Sequence, residues 1–444
     1  MTDFSVPKRI TDILSSNGYE AYLVGGCVRD FFLKRPFADA DICTSATPEE
    51  VKKCFPEGKI LETGIKHGTV TLLIYGETFE ITTFRKEANY KDNRHPSSVK
   101  FTKELSEDLS RRDFTMNAIA MKNGEITDPF NGIQDIENKT IKAVGDPDER
   151  FTEDALRILR AIRFSSTLNF SIEKHTEDSI FKNKELLLNI SAERISSEFN
   201  KLLTGENAEK VLLRYSSVIA VFIPEILPTI DFNQYNPFHI YDVYTHTVKA
   251  ISAAVNIPEV RLALFFHDMA KPSCFTRDED GTGHFKGHAD AGEILAKKTL
   301  TRLKYDNKTI KTVCFLVKNH YMKIKSDKIF IKKFLKNCSE QNFRFLLEVI
   351  RADNLAKANF AKKNLSLIDK TKKELKDILS KNECFSLKTL AVKGSDMENI
   401  GITGKNIGKA LDFILDKVIE EKVINKKEAI LSNPLLNELT QFLS

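Results

Sequence analysis

Two aspartates two residues apart, Asp39 and Asp41, open a short apolar segment (Asp39-Ala40-Asp41-Ile42) that follows Gly25-Gly26-Cys27-Val28-Arg29-Asp30. On a strand, residues i and i+2 point to the same face, so both carboxylates are expected to meet at one place. Paired hard oxygen donors suit Mg²⁺, which uses one or two protein carboxylates and takes substrate phosphates for the rest. A two-ion arrangement of that kind activates an attacking hydroxyl and steadies the oxygens of a departing pyrophosphate. The glycine pair ends the apolar run Tyr22-Leu23-Val24, as where a strand turns tightly into a helix. Such a turn leaves backbone N–H groups free for phosphate oxygens, and Arg29 adds a guanidinium to hold a triphosphate. Either half alone is commonly a turn or a solvated acidic surface; in this order they point to metal-assisted transfer of a phosphorylated group. A third acid, Glu80 in Phe79-Glu80-Ile81-Thr82, lies on a strand expected to pair beside them. It either orients a ligand, activates the hydroxyl or alternates outward.

Asp154 and Arg157 are three residues apart in Arg150-Phe151-Thr152-Glu153-Asp154-Ala155-Leu156-Arg157, so on one helix they share a face. Taken alone, that spacing is a modest surface ion pair. An acceptor beside a donor is also what the edge of cytosine or adenine requires, with its amino group next to a ring nitrogen. Guanine and uracil present the reverse order and would leave both side chains mispaired, a costly outcome in a desolvated pocket. A site accepting C and A and rejecting G and U is the expectation.

A second constellation comprises His246, then His267-Asp268, then Asp353, the H…HD…D spacing of metal-dependent HD phosphohydrolases. Such residues ligate one divalent ion facially and leave positions for an activated water. Imidazole nitrogens favour Ni, Mn, Co, Zn or Fe over Mg. His288 and His320 are candidates for a second ion or for phosphate. The run Lys323, Lys325, Lys328, Lys332, Lys333 and Lys336 is either a track for RNA phosphates or a solvated face, and Lys362, Lys363, Lys372 and Lys373 stand no differently.

These residues need elements to hold them. At 444 residues the chain is long enough for about three domains. A net charge of +5 permits a polyanionic partner without requiring one. Seven scattered cysteines with no C-x-x-C pair indicate reduced thiols and a cytoplasmic protein rather than a disulfide scaffold, and no apolar run reaches membrane-spanning length. Residues 1–140 alternate between helix and strand. A helix over Pro7–Asn17 is followed by strands at 21–24 and 39–43, a helix capped by Thr47-Pro48-Glu49-Glu50, and a hairpin joining Thr69–Ile74 to Thr78–Phe84. Beyond Asp146 the periodicity is helical, notably over Phe151–Phe164 and Ala192–Leu203.

Gly25-Gly26-x-x-Arg29-Asp30, Asp39-x-Asp41-Ile42 and Arg111-Arg112-Asp113-Phe114-Thr115-Met116-Asn117-Ala118 resemble the class II tRNA nucleotidyltransferases and bacterial poly(A) polymerases over roughly residues 20–205. The resemblance implies an α+β multidomain protein with a polymerase β-like nucleotidyltransferase head containing a small mixed sheet, then an all-helical neck, body and tail. It assigns nucleotide binding to Gly25, Gly26, Arg29, Asp30, Arg112, Asp113, Asn117, Asp154, Arg157, Arg160 and Arg194, the last as a buttress behind the base-reading pair in Ser191-Ala192-Glu193-Arg194-Ile195. The segment 86–101, with Asn93-Arg94-His95-Pro96, resembles the flexible loop of enzymes competent to add A. Residues 240–356 resemble the HD domain appended to some of these enzymes, associated with phosphatase and 2′,3′-cyclic phosphodiesterase chemistry. The implied divisions are 1–140 (catalytic head), 141–230 (neck), 231–356 (HD domain) and 357–444 (tail). The implied partners are a tRNA 3′ end, ATP and CTP, with Mg²⁺ at Asp39 and Asp41 and a transition metal in the HD domain. CCA addition is favoured, with A-only addition, poly(A) synthesis, or a hydrolase whose head merely binds nucleotide as the alternatives.

Overall fold

The computed structural model describes residues 4–37, 39–62, 64–90, 96–359 and 365–434. The chain divides into two compact units, Met1–Pro224 and Glu225–Ser444.

The first unit opens with α1 (Ser5–Ser16), whose buried Pro7, Ile10, Thr11 and Leu14 recur at three- and four-residue spacing, as one-sided packing of a helix requires. Its strands are β1 (Ala21–Val24), β2 (Asp41–Thr44), β3 (Lys59–Leu61), β4 (Thr69–Ile74) and β5 (Glu77–Thr83). An outlying pair, β6 (Arg85–Tyr90) and β7 (Pro96–Phe101), precedes β8 (Ala120–Lys122) and β9 (Glu125–Thr127). Across the mixed sheet the order is β3-β4-β5-β2-β1-β8-β9. In the β4–β5 hairpin, Tyr75 and Gly76 both take positive φ, 55° and 79°, the turn that matches the twist of the flanking strands.

The middle of the sheet sets the chemistry. Asp41 lies opposite Val24 on antiparallel β1 and opposite Glu80 on parallel β5. The strand starts later than its sequence suggests: Asp41 is its first residue and Asp39 lies outside it. The reason is that Val24 is the last residue of β1 and Gly25 turns away at φ 75°, so the ladder has no backbone to offer Asp39. Ile42, Cys43 and Thr44 are all buried, as in a central strand covered on both faces. Cys43 and Val24 join Phe84, Leu109, Ala118 and Val144 in one apolar cluster.

Around the sheet run α2 (Gly26–Phe32), α3 (Pro48–Cys54), α4 (Leu105–Ser110) and α5 (Gly132–Glu137), then α6 (Pro147–Glu153), α7 (Leu156–Leu168), α8 (Lys174–Asn183), α9 (Ala192–Leu203), α10 (Ala208–Arg214) and α11 (Ser216–Phe222). Thr47 and Glu50 close the expected capping box of α3. The single helix expected over Phe151–Phe164 is broken. Asp154 is extended (φ −136°, ψ 100°) between α6 and α7, and its carboxylate accepts from the Leu156 N–H at 3.1 Å. A short acidic side chain competing for backbone donors ends one helix and starts the next.

The second unit, where described, contains α12 (Val243–Ala253), α13 (Pro258–Phe266), α14 (His288–Arg302), α15 (Asn307–Asn319), α16 (Lys328–Asn337), α17 (Glu340–Leu355), α18 (Leu365–Ser380), α19 (Gly394–Asn399), α20 (Asn406–Ile419) and α21 (Lys427–Leu431). Every residue of α13 from Val260 to Phe266 is buried, making it the central helix, with α12, α15 and α17 packed on it. The lysines of α16 do not form a free track. Lys332 Nζ lies 2.5 Å from Glu383, Lys333 Nζ 2.6 Å from Glu420, and Lys336 Nζ 2.9 and 2.8 Å from Asp412 and Asp416. Lys328 also meets Glu383, at 2.9 Å, and Lys372 meets Glu348 at 2.5 Å. Lys323 and Lys325 are exposed ahead of α16. Asn93, Arg94 and His95 of the expected loop, and Lys362 and Lys363, lie outside the described residues. Among those residues no helix is long and apolar enough to cross a membrane, and all seven cysteines are free thiols.

Candidate active site and candidate metal centre

The turn at Gly25 brings the first site together. A Cβ on Gly25 would press on Arg112 Nη1 at 3.2 Å and make ordinary contact with Asp41 Oδ2 at 3.6 Å; what requires glycine there is φ 75°. Asp39 and Asp41 are both on the exposed side of the strand opening. Loss of hydration raises the Asp41 carboxyl above its ordinary range; Arg112 opposes this, and repulsion from Glu80 and Asp39 adds to it. The three carboxylates are near enough to repel one another, the kind of oxygen donors a divalent cation takes, but among the described residues their oxygens do not gather closely enough to form a three-ligand group.

Behind them Asp108 is fully buried and binds both motif arginines, Arg111 at 2.7 Å and Arg112 at 3.2 Å. Those two guanidiniums outweigh burial and hold its carboxyl below the ordinary value. Nothing in the sequence reading marked Asp108; its i+3 and i+4 relation to the arginines was the available signal.

A chain of alternating donors and acceptors then crosses the unit. Arg29 donates to Asp30 at 3.0 Å and to Asn117 Oδ1 at 2.8 Å. Asn117 Nδ2 donates to Asp113 Oδ1 at 3.0 Å, and Arg160 Nε to Asp113 Oδ2 at 2.8 Å. Arg29 is thus hydrogen-bonded by protein partners; Arg112, with Nε buried and without a hydrogen-bond partner, lies beside the Gly25 turn. Burial works against the Asp113 carboxylate, but Arg160, Asn117 and Arg157 hold it well below the usual range. Phe164 is a further residue the sequence reading passed over. Its buried ring lies 5.0, 5.4 and 3.5 Å from the guanidinium carbons of Arg29, Arg160 and Arg163, contacts worth from about 0.5 kcal/mol each when exposed to about 2 kcal/mol when desolvated, and meets the Phe114 ring edge-on at 5.8 Å.

Asp154 and Arg157 do not share a helix face. Asp154 lies in the fork of Arg194, at 2.9 and 3.3 Å. Arg157 donates to Glu153 Oε2 at 2.7 Å and to the backbone carbonyls of Arg150 and Arg111. The helix break separates their side chains, and Arg194, 40 residues on, becomes the direct partner of Asp154.

In the second unit the six expected ligands are brought together from five helices and their ends, α12, α13, α14, α15 and α17. His246, His267, Asp268 and Asp353 form one buried group; Asp268, His288 and His320 form another. His267 Nδ1 lies 2.6 Å from the Leu264 carbonyl, His288 Nδ1 2.6 Å from that of Phe285, and His320 Nδ1 2.6 Å from that of Val317. A carbonyl only accepts, so Nδ1 carries the proton and Nε2 is aimed inward, the arrangement usual for metal-binding imidazoles. His267 Nε2 and Asp268 Oδ2 are buried without a hydrogen-bond partner, although Lys271 Nζ stands 2.7 Å from that oxygen. Such orphaned atoms fit a cation. Lys271 and Lys357, the latter 2.5 Å from Asp353 Oδ2, were not singled out by sequence.

Residues 21–142 match the family described as Poly A polymerase head domain, 169–229 that described as probable RNA and SrmB-binding site of polymerase A, and 288–433 that described as tRNA nucleotidyltransferase domain 2, putative. A CCA-adding enzyme of Ligilactobacillus salivarius is 35% identical over 438 residues, 97% of this chain and 96% of that protein. One from Lactobacillus delbrueckii subsp. bulgaricus is 52% identical over 208 residues, and the match spans 47% of this chain and 52% of that enzyme. Thus the chain spans about half the length of several of the relatives it matches at higher identity. Among solved structures, Bacillus stearothermophilus CCA-adding enzyme in complex with CTP superposes with a TM-score of 0.73 at 31% identity, covering 99% of this chain and 98% of that one. The Thermotoga maritima enzyme complexed with tRNA shares the fold at 20% identity and a TM-score of 0.59, over 98% and 94% of the two chains.

Proposed function

The chain belongs to the CCA-adding enzyme family, and on that premise we propose that its first unit adds C, C and A to a tRNA 3′ end from CTP and ATP. The observation that carries this reading is Asp41 in register with Glu80 beside Gly25 and Arg112. Divalent ions, Mg²⁺ in this reading, supply stabilisation of the hydroxylate and of the leaving pyrophosphate when bound. Asp39 and Asp41 would hold them, and Glu80, paired in register with Asp41, takes the proton of the attacking 3′-hydroxyl. The hydroxyl oxygen bonds to the α-phosphorus, the α–β P–O bond breaks, and pyrophosphate leaves against Arg112. Asp113 and Asn117, fixed by Arg160 and Arg29, face the ribose. Asp154 accepts from the amino group of C or A with Arg194 setting its plane. Arg157 serves as the matching donor only by leaving Glu153.

The test is incubation of tRNA lacking its 3′ end with each labelled nucleoside triphosphate and Mg²⁺. Addition of C, C and one A is expected. Long runs of A would mean a poly(A) polymerase, a single A onto CC-ended tRNA an A-adding enzyme, and no incorporation a nucleotide-binding head.

For the second unit we propose a metal phosphohydrolase, supported by the six converging ligands. On a 2′,3′-cyclic phosphate, water adds to phosphorus and one ring P–O bond opens. A second water then releases phosphate and leaves the hydroxyl the first unit extends.

A further inference from the structure

The chain of donors and acceptors through Asn117 and Asp113 closes on itself. Arg29 stands at one end and Arg160 at the other, and both guanidinium carbons lie over the same ring, that of Phe164, at 5.0 and 5.4 Å. Between them run Arg29 Nη1 to Asn117 Oδ1 at 2.8 Å, Asn117 Nδ2 to Asp113 Oδ1 at 3.0 Å and Arg160 Nε to Asp113 Oδ2 at 2.8 Å. Arg160 and Phe164 are four residues apart on α7 and share a helix face. Phe164 is itself held still. It is 3% exposed, and Phe114, the neighbour of Asp113 in sequence, meets it edge-on at 5.8 Å. Arg163 lies 3.5 Å over the ring while bonding Glu198 of α9 at 2.8 Å.

The closed circuit leaves little hydrogen-bonding capacity unused. Asp113 accepts from the Phe114 N–H at 2.8 Å, from Asn117, and from Arg160 through both Nε and Nη2, the last at 2.6 Å. Its oxygens are occupied. The Asn117 amide spends one N–H and one acceptor position inside the circuit and retains one of each. A donor and an acceptor on one amide match a ribose hydroxyl, which both gives and receives. A site built to bond a hydroxyl rejects the analogue that lacks it. Such selection depends on the amide keeping one orientation. Arginine has several rotatable bonds, so its tip fixes a partner only if its own plane is confined. The Phe164 ring face confines both arginines at once.

We propose that Phe164 is a positioning residue for ribose selection: its ring face fixes Arg29 and Arg160, and through them sets the Asn117 amide that distinguishes a ribonucleotide from its 2′-deoxy counterpart. This rests on the nucleotidyl-transfer reading above and adds to it which group reads the sugar and what holds that group in place. Sugar selection and base selection then separate, because Asp154 is held by Arg194 at 2.9 Å, outside the circuit.

The experiment uses the full chain, tRNA lacking its 3′ end, Mg²⁺, and CTP, dCTP or UTP, with kcat/KM measured for each. Phe164→Leu removes the ring. Mono-, tri- and pentafluorophenylalanine placed at the same position weaken its negative face while nearly keeping its shape. The unaltered chain should favour CTP over dCTP. In Phe164→Leu that preference should fall about tenfold, and in the fluorinated series it should fall in order of fluorine number. Preference for CTP over UTP should hold throughout, circular dichroism confirming the fold. If Phe164→Leu does not fold, the fluorinated series decides alone. No incorporation by the unaltered chain overturns the transfer reading itself. Incorporation with no preference for CTP over dCTP, or folded variants that keep the full preference, overturns the role of Phe164 and leaves the transfer reading standing. Loss of base preference in step with sugar preference refutes a role specific to the ribose. A fluorinated series that matches the unaltered chain refutes the hold of the ring face on the two arginines.

Discussion

Asp108 shows how a residue with no contact to substrate can decide a site. It is fully buried and is the shared partner of Arg111 and Arg112, so it fixes the guanidinium that stands beside Gly25 and Asp41. Removing one member of a buried pair leaves the other charge uncompensated. Asp108→Asn is expected to cost about 3 kcal/mol in urea unfolding. It should also lower kcat/KM for CTP on the order of 100-fold, because Arg112, which the proposed mechanism sets against the pyrophosphate, moves. A stability loss with unchanged kcat/KM would confine Asp108 to packing. Asp113 gives a pH signature. Arg160 and Asn117 hold its carboxyl below the usual value despite burial. The folded chain thus gives up its proton more readily than the unfolded one, whose value is about 3.9. Its stabilisation is complete above that value and disappears as pH falls through the folded one. The slope of unfolding free energy between pH 5 and 2 should therefore flatten in Asp113→Asn, by up to about 1.4 kcal/mol per pH unit; an unchanged slope would contradict the assignment.

Among the elements, α16 separates a charge run from a binding surface. Its lysines meet Glu383, Glu420, Asp412 and Asp416, so they fasten the helix to its own unit. Lys333→Ala with Lys336→Ala is expected to lower stability by about 1 kcal/mol and to leave the salt dependence of tRNA binding unchanged. A slope smaller by about 1 per lysine would mean phosphate contact instead. Local pattern made much of the fold legible: the Gly25 turn, the capped α3, the β4–β5 hairpin and the limits of α9 all follow from residues within a few positions of one another. Placing Glu80 beside Asp41 needed only strand pairing, and the order of the histidines and aspartates along the chain marked the residues that converge in the second unit. What stayed hidden was decided by side chains meeting backbone or distant partners. Asp154 capping Leu156 breaks a helix that periodicity alone reads as continuous. Its pairing with Arg194 and the gathering of three arginines on Phe164 exist only once α7 has packed.

At the scale of the molecule, one chain carries two candidate catalytic centres built from different donors, carboxylates in the first unit and mostly imidazoles in the second. The proposed division of labour separates them. His267→Ala should leave CTP and ATP addition to hydroxyl-ended tRNA unaltered while abolishing extension of tRNA ending in a 2′,3′-cyclic phosphate. Equal extension of both substrates would refute the coupling. The hydrogen-bonded line from Asp30 through Arg29, Asn117 and Asp113 to Arg160 joins sequence positions 130 residues apart, and it bears on how the protein tolerates change. Once Asp113 is lost, Arg160 loses the carboxylate it hydrogen-bonds, so Asp113→Ala and Arg160→Ala together should cost less than their separate effects added, by about 1 kcal/mol or more in a double-mutant cycle. Variation along this line is then epistatic: an ancestor that dropped one member would meet little resistance to losing the next, and recovering any single residue alone would restore almost nothing.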